Sequence, residues 1–185
     1  MSNKKHRVCP AKRAWTLDNR IRRWLQDPQK ILEPYIREGM TVLDMGCGPG
    51  FFSIEIAKMV GKSGSVIAAD LQEGMLQKLK DKIQGTEFEG RITLHKCEEF
   101  KIGVSENVDF VLAFYVVHEL RSQKDFFEEI KSILKPDGHV FIVEPLLHVS
   151  KRAFEETVKI AHNAGFTPIE RPKVFFSKAV VLRKD

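Results

Sequence analysis

Apolar residues recur along this chain in two alternating rhythms. Short runs rich in Val, Ile, Leu and Thr occur at 41–45, 65–69, 91–95, 108–113 and 139–143, the lengths expected of buried strands. Between them the spacing becomes helical: Phe52, Ile56 and Val60, then Leu71, Met75, Leu79 and Ile83, then Phe126, Phe127, Ile130 and Leu134. Each set places one apolar stripe on one helix face. Strand and helix in alternation predict a parallel sheet with helices on both faces. The end of the chain breaks the rhythm. A helix from about Ser150 to Ala164, closed by Gly165, is followed by PIERPK and VFFSKAVVLRK, two extended segments close enough to pair as an antiparallel hairpin. Seven strands result.

Ahead of the first strand, Ile21, Trp24 and Leu25 predict a short amphipathic helix. Asp27-Pro28 ends it and opens another, with Asp as N-cap and Pro at the first helical position; Pro34 kinks or stops that second helix. A length of 185 residues suits one core better than two, so one domain over 1–185 is expected. No apolar run approaches the ~18 residues of a membrane span, and MSNKKHRVCPAKR lacks the apolar stretch of an export signal. A cytoplasmic protein with no membrane partner is expected. Cys9, Cys47 and Cys97 have spacings that suit neither a zinc site nor a disulfide framework. The net charge of +5 is uneven: residues 1–30 carry nine Lys/Arg against Asp18 and Asp27, a balance of +7, so the remaining 155 residues carry −2.

The chemistry concentrates in TVLDMGCGPGFF, residues 41–52. In a doubly wound sheet the turn after the first strand lies at the ligand edge, and here it reads Gly46-Cys47-Gly48-Pro49-Gly50. A dinucleotide fingerprint needs glycine at 51, where the chain has Phe51, and Pro49 has no N–H for a phosphate. Asp44, just before the turn, would repel a pyrophosphate. It suits a cationic ligand instead. S-adenosyl-L-methionine, with a sulfonium, an ammonium and no phosphate, meets that requirement. Asp44 can neutralise the ammonium, Gly46 and Gly48 let the backbone approach, and Asp70, at the end of SVIAAD and 20 residues past Gly50, can take both ribose hydroxyls. Leu71 then walls the adenine.

VLDMGCGPG, AADLQEGML, HKCEEF, VDFVLAFYVVHEL and LKPDGHVFIVEP, in that order, resemble the successive motifs of class I S-adenosylmethionine-dependent methyltransferases, in particular the small-molecule branch related to quinone-biosynthesis enzymes. The resemblance covers roughly 28–183. It implies an α/β Rossmann-like, doubly wound seven-stranded sheet of order 3-2-1-4-5-7-6 with strand 7 antiparallel, and residues 1–38 as an N-terminal helical lid. Carried over by position, it implies that Asp44, Gly46, Cys47 and Gly48 hold the methionine end and Asp70 and Leu71 the ribose and adenine. Cys97 and Glu98 would flank adenine, the former through its backbone N–H, with Ala113 and Phe114 beside the methionine portion. Members of the family commonly carry an aspartate where Lys96 stands, which leaves the adenine amino contact open.

His118-Glu119 begins a zinc-protease pattern, but the position for the second histidine is Ser122, so no metal is expected. His118 then either packs at a helix start or acts as general base or substrate contact beside the transferred methyl. Glu144, His148 and Tyr115 have weaker claims to the same edge. Methyl transfer from a sulfonium is an in-line displacement that depends mainly on alignment, so a base is required only for a neutral acceptor. The expected partner is a small-molecule acceptor, an anionic one if the basic leader serves the pocket. RNA is the rival substrate because of the leader and the pI of about 9.1, against which AFYV stands where many base-methylating relatives have asparagine-proline-proline-aromatic. A third reading is a cofactor-binding module without catalysis.

Overall fold

In the computed structural model, which describes residues 25–185, β1 (Thr41–Met45), β2 (Ser65–Asp70), β3 (Ile92–Lys96), β4 (Val108–Phe114) and β5 (Leu134–Pro145) run parallel. β6 (Phe166–Glu170) and β7 (Ser177–Lys184) form the expected hairpin. The sheet order is 3-2-1-4-5-7-6, and β7 is antiparallel to both β5 and β6. This is the class I methyltransferase topology.

Side-chain alternation divides the core in two. On β4, Phe110, Leu112 and Phe114 join Val42 and Val66 beneath α1 (Pro28–Leu32), α2 (Ser53–Met59) and α3 (Glu73–Ile83). Val111 and Ala113 join Leu43 and Ile67 on the opposite face, against α4 (Gln123–Ile133) and α5 (Lys151–Asn163). Because both faces are covered, the strands read as nearly continuous apolar runs. Local signals set the helix starts. Asp27 accepts a bond from the Gln29 amide at 3.1 Å, with Pro28 following, and Ser150 accepts from the Ala153 amide at 3.1 Å.

The boundaries differ from the sequence pattern in three places. Leu134, in register with the apolar row of α4, opens β5 instead and pairs with Val108; Pro136, two residues on, disfavours helix at Lys135. β6 starts at Phe166 rather than at the PIERPK segment, and its pairing with β7 slips between Pro168 and Glu170, as befits proline on an edge strand. Arg171 then leaves the sheet to bond both Glu155 oxygens at 2.9 and 2.8 Å, and β7 begins only at Ser177, after a turn in which Phe176 is left-handed (φ +51°) and the Ser177 amide donates to the Val174 carbonyl at 3.1 Å.

Ahead of β1, Leu32 is fully buried against the sheet, and the Tyr35 ring lies 6.1 Å from Phe110 and 5.1 Å from Phe141. The expected helix at Ile21 and Trp24, Cys9 and most of the basic leader and lid lie outside the described residues.

Phe127 is fully buried, its ring 5.8 Å from Phe166. Phe127→Ala is expected to cost about 3–5 kcal/mol in urea unfolding, whereas Ile169→Ala, at a position 46% exposed on the sheet edge, should cost under about 0.5 kcal/mol.

Candidate active site

The carboxyl ends of β2, β1, β4 and β5 meet at one edge, where the strand order switches between β1 and β4. The loop after β1 is pinned there by its own backbone. The Gly46 and Cys47 amides donate to the Ala69 carbonyl at 2.8 and 3.0 Å, and the Gly48 amide donates to Asp70 Oδ2 at 2.9 Å. This path needs left-handed backbone at Gly46 (φ +72°) and close approach as well, since a Cβ there would lie 2.7 Å from Val116. At Gly48 (φ +54°) a Cβ would meet nothing within 4 Å. The loop therefore packs tightly at Gly46 and presents bare backbone to open space at Gly48.

Two carboxylates lie under this loop. Asp44, 2% exposed, accepts from Ser53 Oγ at 2.6 Å. Asp70, 7% exposed, accepts from Gly48 and, through Oδ1, from the Gln72 amide at 2.7 Å. Burial is the largest influence on Asp70 and raises its pKa above 3.8, against the lowering effect of the Gln72, Gly48 and Leu71 amides and the Lys96 charge. Three amide donors leave the carboxylate acceptor capacity for a further one. Burial, followed by the charges of Asp44 and Asp70, pushes the Cys47 thiol well above its ordinary range, and burial first, then Asp70, pushes Cys97 up to about 12. Both remain thiols, which removes the thiolate a nucleophile would need.

Leu71 is partly exposed just past Asp70. Cys97 is buried, and its amide, expected to face adenine, donates to the Asp70 carbonyl at 3.0 Å; the β2–β3 ladder has continued one residue past β3. Glu98 is exposed and its amide donates to the Lys101 carbonyl at 3.0 Å. Ala113 turns its methyl into the α4 and α5 face, so only its backbone reaches the edge, while the Phe114 ring packs 4.4 Å from Phe52.

Beyond β4 the edge changes character. His118, on a 3-10 turn (Val117–Glu119), donates its amide to Glu144 Oε1 at 3.0 Å, and its Nδ1 lies 2.5 Å from Glu144 Oε2. Glu144, at the end of β5, is 1% exposed. Burial acts to lower the His118 pKa, but the hydrogen bond and charge of Glu144, with the charge of Glu119, outweigh it and hold the imidazole above 6.5. The network assigns the Nδ1 hydrogen to Glu144 and leaves Nε2 for another partner. The His148 ring lies 6.5 Å from that of His118. Tyr115, in left-handed backbone at φ +62°, shares its hydroxyl with Ser177 Oγ at 2.6 Å and Gln26 Nε2 at 2.5 Å. The pairings of Glu144 with His118, of Ser53 with Asp44, and of Gln26 and Ser177 with Tyr115 are not apparent from the sequence alone. Only the first left a trace there, in one ionisable residue just past β4 and another near the end of β5, strands that prove adjacent.

A model of the methyltransferase domain matches residues 36–166. The demethylmenaquinone methyltransferase of Lactobacillus johnsonii is 30% identical over 132 residues, covering 69% of this chain and 54% of that protein. The ubiquinone/menaquinone biosynthesis C-methyltransferase of Geobacter sulfurreducens is 30% identical over 125 residues, covering 66% and 48%. This chain thus spans about half the length of the curated relatives it matches. A SAM-dependent methyltransferase of known structure from Aquifex aeolicus is 31% identical, with 95% of this chain and 98% of that one covered at a TM-score of 0.84. With the sheet order, the glycine loop and its two carboxylates already in place, the chain belongs to the S-adenosylmethionine-dependent methyltransferase family.

Proposed function

We propose that this protein methylates a small-molecule acceptor, a phenolic or quinol ring, held at the carboxyl edge of β4 and β5, with His118 as general base. The observation that carries the reading is the His118–Glu144 pair: a fully buried carboxylate bonds both the backbone and Nδ1 of one histidine and leaves Nε2 for another partner. The names of the two curated relatives refer to menaquinone and ubiquinone, and this supports the choice of acceptor class. In the same reading, residues 1–38 form a lid, supported by the reach of Gln26 to the Tyr115 hydroxyl and to the Phe175 carbonyl at 3.3 Å.

The residues at β1 and β2 fit the cofactor. Open space before Gly48 would admit its amino-acid end without a Cβ in the way, Asp44 would lie beside that end, and Asp70 has acceptor capacity left toward the ribose hydroxyls. Leu71, Cys97 and Glu98 border the adenine side, Gly46, Cys47, Ala113 and Phe114 the methionine side. S-adenosylmethionine supplies an electrophilic methyl on a sulfonium that leaves as a neutral thioether. The chain's own part is alignment, exclusion of water and the movement of protons. His118 Nε2 would take the phenolic proton and so raise the electron density of the ring carbon that receives the methyl; the hydrogen on that carbon would then leave as a proton while the ring oxygen is reprotonated, and Glu144 balances the imidazolium meanwhile.

Asp70→Ala should weaken S-adenosylhomocysteine in calorimetric titration by roughly 30- to 1000-fold, or about 2–4 kcal/mol. Hydroxyl donors need the ionised carboxylate. Affinity of the unaltered protein should therefore be full above the raised Asp70 pKa and fall as pH drops through it, at a higher pH than an ordinary aspartate would dictate. Unchanged affinity in the variant would remove Asp70 from the ribose.

His118→Ala should slow transfer of a labelled methyl to a quinol ring by ~10² or more, with S-adenosylhomocysteine affinity nearly unchanged. The base must be neutral, so the rate should decline as pH falls through a pKa held above 6.5. In Glu144→Gln the lost charge lets burial dominate, and the acid limb should move to lower pH. Turnover and pH profile like those of the unaltered protein would leave His118 a packing residue, and label found in RNA instead would overturn the acceptor class.

A further inference from the structure

Four large apolar side chains stand out on two adjoining loops at the carboxyl edge. Leu146 and Leu147, after β5, are 46% and 84% exposed; Phe175 and Phe176, before β7, are 49% and 59% exposed. The loops form one tip. The Leu146 amide donates to the Phe176 carbonyl at 3.0 Å, and Lys178 Nζ donates to the Leu146 and Val149 carbonyls at 3.4 and 2.7 Å. The two phenyl rings pack edge-on at 4.8 Å, and Phe176 keeps left-handed backbone at φ +51°, a conformation that costs about 1–2 kcal/mol outside glycine.

The charge around the tip is of one sign. Residues 145–152 and 171–178 contain Lys151, Arg152, Arg171, Lys173 and Lys178 and no acidic residue. Arg171 is paired with Glu155 and Lys178 is bonded to carbonyls, but Lys151, Arg152 and Lys173 are exposed and form no ion pair with a described residue. The same charge argues against two occupants. A second copy would bring cations onto cations. Residues 1–24 carry eight Lys/Arg and one Asp, so their charge does not complement that of the tip either. Two loop tips are also small beside the roughly 800 Å² per partner of a protein interface, whereas a few protruding Leu and Phe residues suffice to enter the headgroup–acyl boundary of a bilayer, about 5–10 Å deep.

We propose that this tip docks the protein peripherally on anionic lipid bilayers. Leu146, Leu147, Phe175 and Phe176 enter the acyl boundary, and Lys151, Arg152 and Lys173 lie on the headgroups. None of the described helices is long and apolar enough to cross a membrane, and surface docking requires none; the sequence expectation of no membrane partner rested on the lack of a span. Docking also brings the His118 edge near the bilayer, since His148 follows Leu147 in the same loop.

The test is sedimentation of the full chain with vesicles of phosphatidylcholine alone and of an equal mixture of phosphatidylcholine and phosphatidylglycerol. Binding should be confined to the mixed vesicles and should fall with added salt. Leu147→Glu with Phe176→Glu should weaken it at least tenfold, and Lys151→Glu, Arg152→Glu or Lys173→Glu by about fivefold or more each, from ~1 kcal/mol per surface cation. Thermal unfolding and S-adenosylhomocysteine affinity should stay as in the unaltered protein, which shows that the variants are folded. Failure to bind the mixed vesicles, equal binding to phosphatidylcholine alone, or binding that survives the tip substitutions and depends only on residues 1–24 would overturn the proposal. So would a dimer that the Leu147 and Phe176 substitutions dissolve.

Discussion

The hydrogen bond from the Gly48 amide to the Asp70 carboxylate is the constraint around which the carboxyl edge of the sheet is built. It joins the loop after β1 to the end of β2 at 2.9 Å, and it forms only if the loop turns through left-handed backbone at Gly46 and Gly48. A carboxylate 7% exposed would be costly without such donors. Backbone amides of Gly48, Leu71 and Gln72 stabilise it while leaving acceptor capacity for a ligand. The loop in turn is held against the sheet by the Ala69 carbonyl, so its position follows from the parallel pairing of β1 and β2.

Asp44 and Glu144 extend the same principle to neighbouring strands. Each is nearly inaccessible at a strand end, and each is satisfied by a residue from the segment that follows a parallel strand: Ser53 at the start of α2 for Asp44, His118 in the turn after β4 for Glu144. Buried charge concentrates at the carboxyl edge because the turns there supply donors that the apolar middle of the sheet lacks. The edge has two regions as a result. One, at β1 and β2, holds acceptors under an open glycine loop; the other, at β4 and β5, holds an imidazole whose tautomer is set by a carboxylate.

The β6–β7 hairpin connects this edge to the exposed tip. Ser177, the first residue of β7, bonds the Tyr115 hydroxyl, and Phe175 and Phe176 immediately precede it. Any movement of the tip is thereby coupled to a side chain that follows β4. Gln26 closes the same network from the N-terminal side, so three separate segments meet at one phenol.

Local physics was legible in the sequence. The short apolar runs and the 3.6-residue period, the cap at Asp27, Gly165 at the end of α5, and the glycine spacing after β1 are all decided by neighbours within a few positions, and together with the family resemblance they yield the sheet order and the glycine loop with its two carboxylates. The boundaries at Leu134 and Ser177 were less legible, because a proline two residues downstream and a turn with left-handed Phe176 outweigh the apolar pattern. Chemical pairing was decided by tertiary structure. His118 and Glu144 are 26 positions apart, and nothing in either segment states the register of β4 on β5 that brings them to hydrogen-bonding distance. The Cys97 amide likewise goes to Asp70 because the ladder runs one residue further than the strand pattern implies. Exposure of Leu147 and Phe176 also follows only from the folded chain: apolar residues near strand ends read as core in sequence, and only the packed sheet shows that none of the described elements covers them.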